Sequence, residues 1–419
     1  MFVERVNIGI FGKMNSGKST VMNLLTQTDT SIVDKTPGTT ADTKTCTMEV
    51  HGLGPTRLYD TAGADEKGTL GEKKKTKVIA LMKECNLVLI VIDSSTKNLS
   101  TEHFLVETAR GMDKQVFILF NVFADSKDGV SQNTNEAAAT RALKKLPVLK
   151  LHKNISIDAT NISDRQKLIN FILENYENDS KNIELLPFLK KGAHYVLNIP
   201  MDAQTPAGRL LKPQAMTEEY ITRHWAYPIS FRMDLEKARG PESNLEKKRF
   251  LDFLDGFKIR PHAIITDSQA MDVMNLWTPD DIMLTTFSIV MINYLSKGRL
   301  ELFVKGLEAL EALKAGDKIL IAEACNHSRI GEDIGTVQIP KYLKKRFPGI
   351  VIEHSFGKEC IEGDYKLAIH CGGCMITQQK MNARIRDFIN LKIPFTNYGL
   401  FLSYMQGKAA LKKVLEPWK

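Results

Sequence analysis

The sequence predicts an α/β protein of two or three domains, built mainly on parallel sheets. Three observations carry this expectation. Strand-length apolar runs at Val6–Phe11, Leu87–Ile92 and Gln115–Phe120 are each followed by a polar turn and a helical stretch, the rhythm of an open parallel sheet. A glycine-rich loop, Gly12 to Ser19, joins the first run to a helical segment. The alternation resumes after about residue 284, with short strands at Lys318–Ala322, Gly349–Glu353 and Lys366–His370.

At 419 residues the chain is too long for one core, and 43% apolar with 25% charged residues is an ordinary globular composition. The densest apolar run, Leu87-Val88-Leu89-Ile90-Val91-Ile92, reads as a buried strand. It is far short of the ~20 residues that cross a bilayer. No apolar leader core precedes Val6, which places the protein in the cytoplasm with no membrane partner. The net charge of +8 and a pI near 9.0 would suit nucleic acid. Yet the densest basic run, Lys73, Lys74, Lys75 and Lys77, has no interleaved aromatic residue and reads as a solvated helix face. Neither a low-complexity tract nor an internal repeat is visible.

The first domain is expected over residues 1–175, closed by the polar linker Glu177-Asn178-Asp179-Ser180-Lys181-Asn182. A middle segment, 183–280, opens with the strand-like His194–Ile199. It continues through a helix after Pro206 and a charged stretch, Asp234–Arg249, expected on the surface. It carries no catalytic constellation and reads as a structural or dimerisation module. The last segment, 284–419, adds an amphipathic helix at Arg299–Ala315, with Leu300, Phe303, Val304, Leu307 and Leu310 on one side, and a helix at Met375–Leu391.

Gly12-Lys13-Met14-Asn15-Ser16-Gly17-Lys18-Ser19, followed by Thr20, fits the phosphate-loop pattern and lies between a strand and a helix, as that chemistry requires. Gly12, Ser16 and Gly17 let backbone amides approach the phosphates, and the helix N-terminus adds partial positive charge. Lys18 is expected at the β- and γ-phosphates and the Ser19 hydroxyl on Mg²⁺. Asp60-Thr61-Ala62-Gly63 follows the strand-like Thr56–Tyr59; Asp60 would hold Mg²⁺ through water and the Gly63 amide would sense the γ-phosphate. Pro37-Gly38-Thr39-Thr40 lies between the two and offers a hydroxyl to Mg²⁺, Thr40 being favoured and Thr39 next.

These residues resemble the translation-factor-like GTPases, and within them the branch with an asparagine in the phosphate loop and Gly-Thr-Thr in switch I. The resemblance implies GTP and GDP as ligands, Mg²⁺, and a K⁺ ion ligated by Asn15 in place of an arginine finger. Where Ras-like enzymes carry a water-positioning glutamine this chain has Ala64, which implies slow hydrolysis. The base-recognition element departs from Asn-Lys-x-Asp: Asn121-Val122-Phe123-Ala124-Asp125 lacks the lysine and carries its acid one residue late. Asp125 reaches guanine only if that loop bulges. The later Ser-Ala-x element has become Asp158-Ala159-Thr160.

Of six cysteines, Cys46 and Cys85 read as small core residues, whereas Cys325, Cys360, Cys371 and Cys374 cluster within 50 residues. In a cytoplasmic chain this suggests metal or redox chemistry. Cys325-Asn326-His327 follows one predicted strand, and His370-Cys371-Gly372-Gly373-Cys374 ends another. If those strands are parallel neighbours, both sets emerge at one carboxyl edge, where such sheets place ligands. Spacing alone leaves zinc and iron–sulfur both open.

A GTPase domain followed by Cys-x-His and a distant His-Cys-x-x-Cys resembles the [FeFe]-hydrogenase maturation GTPases. Pro206-Ala207-Gly208-Arg209-Leu210, Ile265-Thr266-Asp267-Ser268-Gln269 and Pro394-Phe395-Thr396-Asn397-Tyr398-Gly399 resemble that family too. The resemblance implies a P-loop GTPase domain, a small α/β dimerisation domain and an α/β cluster-binding domain, in a chain that forms a homodimer. It implies a [4Fe-4S] cluster on Cys325, Cys371 and Cys374, and a scaffold carrying the diiron subcluster precursor from two radical-SAM maturases to apo-[FeFe]-hydrogenase. The fourth iron position is expected to be labile, its candidates being His327, His370, Cys360 or a non-protein ligand such as water, with His327 the favoured protein ligand and Cys360 the least; either histidine could instead be a supporting hydrogen-bond donor. The competing reading is a ribosome- or tRNA-associated GTPase with a structural zinc domain. No RNA-binding loop of the Gly-x-x-Gly type supports it.

Overall fold

A computed structural model describes residues 5–27, 44–61, 69–122, 132–177, 183–201, 208–323, 333–357, 363–373 and 376–419. The chain divides into two compact units, Met1–Asp179 and Ser180–Lys419.

The first unit runs β1 (Val6–Phe11), α1 (Lys18–Thr26), β2 (Lys44–Val50), β3 (Gly54–Asp60), α2 (Thr69–Glu84), β4 (Leu87–Asp93), α3 (Ser100–Gly111), β5 (Gln115–Asn121), α4 (Gln132–Lys145), β6 (Lys153–Ile157) and α5 (Asp164–Asn175). Its sheet order is β2-β3-β1-β4-β5-β6, parallel except for β2, which pairs antiparallel with β3. The central strands β1 and β4 are buried on both faces, which is why they read as unbroken apolar runs. One apolar layer, with Ile8, Leu89, Leu119 and Leu168, covers one face of the sheet; another, with Phe11, Ile90, Ile118 and Leu105, covers the other. Cys85 is fully buried in this second layer, whereas Cys46 is half-buried on β2. Lys75 and Lys77 are exposed on α2.

The second unit holds two four-stranded sheets. The first is built from β7 (His194–Asn198), α6 (Lys212–Arg223), β8 (Tyr227–Phe231), α7 (Leu235–Arg239), α8 (Ser243–Asp255), β9 (Ala263–Thr266), α9 (Met271–Trp277), β10 (Met283–Thr286) and α10 (Phe287–Leu295). The next comprises α11 (Leu300–Gly306), β11 (Lys318–Glu323), α12 (Ile339–Arg346), β12 (Val351–Phe356), β13 (Leu367–His370), α13 (Gln378–Asn390), β14 (Phe395–Asn397), α14 (Tyr398–Met405) and α15 (Lys408–Leu415).

The two sheets share one topology. Their orders, β8-β7-β9-β10 and β12-β11-β13-β14, each place the second strand of the set outside the first and the third on its other side. Every pairing is parallel. The registers correspond as well: Asn198 lies opposite Thr266 and Thr266 opposite Thr286, as Ala322 lies opposite His370 and His370 opposite Asn397. Thr286 and Asn397 then perform the same task, each accepting a hydrogen bond from the amide three residues on to start the following helix, α10 or α14. The sequence shows no internal repeat; the backbone does.

Three local expectations are modified. The amphipathic stretch at Arg299–Ala315 is an α-helix only to Gly306 and then tightens to a 3₁₀ turn, Leu307–Ala312. A Cβ on Gly306 would stand 1.8 Å from the Phe395 carbonyl oxygen, so the missing side chain lets this helix lie against β14. The charged stretch Asp234–Arg249 forms α7 and the start of α8, and is not wholly superficial: Glu246 is 4% exposed, accepting from the Asp234 amide and paired with Arg249. The expected start of the last segment, 284, falls within β10, which is bonded to β9 in the middle sheet. A single apolar cluster runs from Val196 and Ile264 to Ile321, Ile369 and Phe401, so both sheets share it.

Candidate functional site

In the first unit, the chain leaves β1 at Phe11 and enters α1 at Lys18. A Cβ on Gly12 would lie 2.5 Å from the Val91 carbonyl oxygen, so only glycine can make this exit. Asn15 takes a left-handed conformation, φ 62°, and the Ser16 amide donates to the Lys13 carbonyl at 3.3 Å, curling the loop around the helix N-terminus. Lys18 is 7% exposed, and its ammonium donates to the Lys13 carbonyl. Ser16 is 2% exposed, and its hydroxyl has no hydrogen-bond partner among the described residues.

Because β3 lies beside β1, with Asp60 opposite Ile10, Asp60 is delivered to the start of α1. The Ser19 hydroxyl donates to Asp60 Oδ2 at 2.6 Å, and Asp60 Oδ1 is buried with no partner among the described residues. A buried carboxylate oxygen in want of a donor, next to a hydroxyl at a phosphate loop, fits Mg²⁺. When bound, the ion would supply positive charge to neutralise the phosphates. Ser19 and Asp60 would hold it, while Lys18 and the loop amides bind and orient the phosphates. Thr20 is half-buried in the first turn of α1.

Asn121, fully buried at the end of β5, is a clamp between two loops. Its side-chain amide donates to the Ser16 carbonyl at 3.1 Å and accepts from the Ala159 amide at 3.2 Å. It thereby ties the phosphate loop to the Asp158-Ala159-Thr160 turn, where Asp158 accepts from the Thr160 hydroxyl at 2.6 Å. Thr39, Thr40, Gly63, Ala64 and Asp125 lie outside the described residues.

In the second unit, β11 and β13 are parallel neighbours with Ala322 opposite His370, and the Cys371 amide donates to the Ala322 carbonyl at 3.0 Å. The chain leaves both strands at the same carboxyl edge, between the first and third strands of the set, where the connections diverge and ligands find a crevice. Cys371 is half-buried there; Cys325, His327, Cys360 and Cys374 lie outside the described residues. Among the described residues no three candidate ligands gather. The Cys371 thiol at this edge is a donor of the kind that suits a cluster or a soft metal.

His370 points elsewhere. It is fully buried, edge-on to Phe388, and its Nδ1 lies 2.6 Å from the Cys371 carbonyl oxygen. Burial, with the Arg384 guanidinium nearby, pushes it down to about 3, so the ring is neutral and Nδ1–H donates to that carbonyl. Sequence reasoning missed the acidic surroundings of Tyr398, a neighbour of Cys371. Glu323 at the end of β11 is 1% exposed and accepts from the Tyr398 hydroxyl at 3.3 Å, with Asp333 also buried. Burial, then the charges of Cys371, Glu323 and Asp333, hold the Tyr398 phenol well above its usual range. It also missed Ser288 on α10, whose hydroxyl would lie 3.5 Å from a Cβ on Gly372 and accepts from Asn397 at 3.0 Å. Neither had a signal in spacing, because each residue comes from a different strand–helix unit.

Residues 7–122 match the family described as 50S ribosome-binding GTPase. Residues 241–298 match the hydrogen maturase F dimerization domain, and residues 301–417 its tetramerization domain. The chain carries both hydrogen maturase F domains behind a GTPase domain. The GTPase match lies in the first unit and the two maturase F matches lie in the second. The curated relatives are similar over the GTPase domain: the tRNA modification GTPase MnmE of Moorella thermoacetica is 35% identical over 125 residues, 29% of this chain and 26% of the relative. That of Lachnoclostridium phytofermentans is 32% identical over 170 residues, 40% of this chain and 34% of the relative. The chain thus spans about a quarter to a third of these relatives. Among solved structures, Era of Aquifex aeolicus bound to GDP and AlF4⁻ has TM-score 0.35 and 23% identity, covering 42% of this chain and 58% of that one. The G domain of the T. maritima FeoB iron transporter has TM-score 0.30 and 20% identity, covering 41% of this chain and 98% of that one. The maturase F domains also separate this chain from the ribosome- and tRNA-associated reading, which the GTPase domain alone would leave open. No helix among the described residues is long and apolar enough to cross a membrane.

Proposed function

We propose that this maturase F protein is a GTP-hydrolysing scaffold that holds a [4Fe-4S] cluster through Cys325, Cys371 and Cys374 and carries the diiron subcluster precursor. Two radical-SAM maturases supply the precursor, and apo-[FeFe]-hydrogenase receives it. The middle segment, through β10 and α10, serves dimerisation and the segment after it serves the cluster. The observation that carries the reading is the parallel pairing of β11 with β13, Ala322 opposite His370, the two strands that the cysteine motifs follow in sequence. His370, buried and bonded to the Cys371 carbonyl, is a support for the loop, leaving His327 as the favoured protein ligand of the labile fourth iron position.

Within the GTPase domain, Asn15 ligates K⁺ and Asp125 reads guanine. Asp125→Ala is expected to lower GTP affinity by about 2–4 kcal/mol, the loss of a charge-assisted hydrogen-bond pair. Unchanged affinity would assign the base to another group.

Anaerobically purified protein should show broad visible charge-transfer absorption, lost together with the ability to activate apo-hydrogenase on replacing Cys325, Cys371 or Cys374 with Ser. Replacing Cys360 should leave the iron content unchanged, and His327→Ala should retain a cluster with a shifted EPR signal. A colourless protein containing zinc, or loss of iron in the Cys360 variant, would overturn the assignment.

A further inference from the structure

Lys13, inside the phosphate loop, is the residue whose chemistry the nucleotide site has not absorbed. A lysine next to Gly12 invites the reading of a second cation for the phosphates. Its side chain turns the other way. The ammonium lies 3.3 Å from Glu102 Oε2, donates to the Asn98 carbonyl, and stands 3.5 Å from the Thr96 hydroxyl. Glu102 is 1% exposed in the first turn of α3, where the helix N-terminus favours its negative charge. Thr96 and Asn98 belong to the turn that follows β4, so Lys13 fastens the loop to that turn and to α3 at once.

The backbone of the same residue faces inward. The Lys13 carbonyl receives both the Ser16 amide and the Lys18 ammonium. The position of this carbonyl therefore sets the curl of the loop and the place where Lys18 waits. An ion pair with its carboxylate buried and its ammonium part-exposed adds little net stability, since desolvation offsets most of the attraction; what it does fix is geometry.

We propose that Lys13 is a positioning residue: anchored to Glu102, it holds the phosphate loop in the shape that receives the phosphates and does not itself bind them. Removing either partner then loosens the cradle in the same way. Glu102→Gln and Lys13→Met should each weaken GDP and GTP by the same factor, about tenfold, while kcat at saturating GTP falls far less. Because Lys13→Met already removes the Glu102 contact, together with those to Asn98 and Thr96, the double variant should be no weaker than Lys13→Met alone. Lys13→Arg, which keeps the charge, should restore most of the affinity.

The test uses full-length protein, with Kd for GDP and for a non-hydrolysable GTP analogue, steady-state kinetics, and Tm recorded alongside. Tight binding by Glu102→Gln with weak binding by Lys13→Met would make Lys13 a phosphate ligand and overturn the proposal. So would additive losses in the double variant, or parent-like affinity in both singles. Should Glu102→Gln fail to fold, Glu102→Asp, which keeps the charge but draws it back from the ammonium, is judged by the same criteria.

Discussion

The Ser19 hydroxyl and the Asp60 carboxylate meet at 2.6 Å across the junction of α1 and β3, and the second carboxylate oxygen is buried without a partner among the described residues. This is a metal position drawn by its ligands. Asp60→Asn keeps the shape and removes the charge. GTP affinity in Mg²⁺ should fall about 10- to 100-fold, the range of one charged hydrogen bond, and binding in EDTA should not change. An undiminished Mg²⁺ dependence in the variant would remove Asp60 from the metal site.

The Asn121 bridge makes a different demand. Replacing it with Ala strands the Ser16 carbonyl and the Ala159 amide, both in a dry environment. The unfolding free energy of the first unit should drop by about 2–4 kcal/mol, with nucleotide affinity falling alongside. Denaturant titration reads the first quantity; a change below about 0.5 kcal/mol, the level of an ordinary surface substitution, would deny the clamp.

Asn15, held at φ 62° in the loop, is proposed to ligate K⁺. GTP turnover should be slow in sodium buffer and several-fold faster in potassium, and Asn15→Ala should lose most of that gain. Equal rates of the parent protein in the two buffers would dismiss the ion.

Alkaline stability should report the buried thiol at Cys85. Burial pushes it from 9.0 up to about 12, although Lys114 nearby lowers it, and burial likewise lifts Tyr59 from 10.0 to about 12. Both groups are neutral in either state below pH 9. Above it the unfolded thiol ionises first, so stability is lost as pH rises from about 9 towards 12, by at most about 1.4 kcal/mol per pH unit for each group. Cys85→Ala should flatten the slope between pH 9 and 10, ahead of the tyrosine. Superimposable slopes for the two proteins in that interval would contradict the burial assigned to Cys85.

The nucleotide site was legible because its chemistry is local. A strand, a glycine-rich loop and a helix start within about 15 consecutive residues, and the backbone geometry needed at Gly12 leaves few alternatives to its sequence. Buried strands such as β1 and β4 announced themselves through apolar runs, since both faces of a central parallel strand meet helices. The outermost strands, β2 and β6, have exposed positions along their length and gave no such run. The end of α11 at Gly306 was equally hidden, being decided by the backbone of Phe395, 89 residues away.

What the sequence alone determined is the buried central strands β1, β4 and β5 and the identity of the phosphate-loop residues, because hydrophobic period and loop chemistry act between near neighbours. What only the tertiary structure decided is which strand ends meet. The shared topology of the two sheets of the second unit is invisible to residue matching: Asn198, Thr266 and Thr286 stand where Ala322, His370 and Asn397 stand, and only the threonine–asparagine cap keeps a common task. The same is true of Lys13 and Glu102, which are 89 positions apart in sequence and meet because β4 lies beside β1 and delivers α3 to the loop. Hydrogen-bonded strand pairing, not sequence spacing, brings such groups within reach of one another.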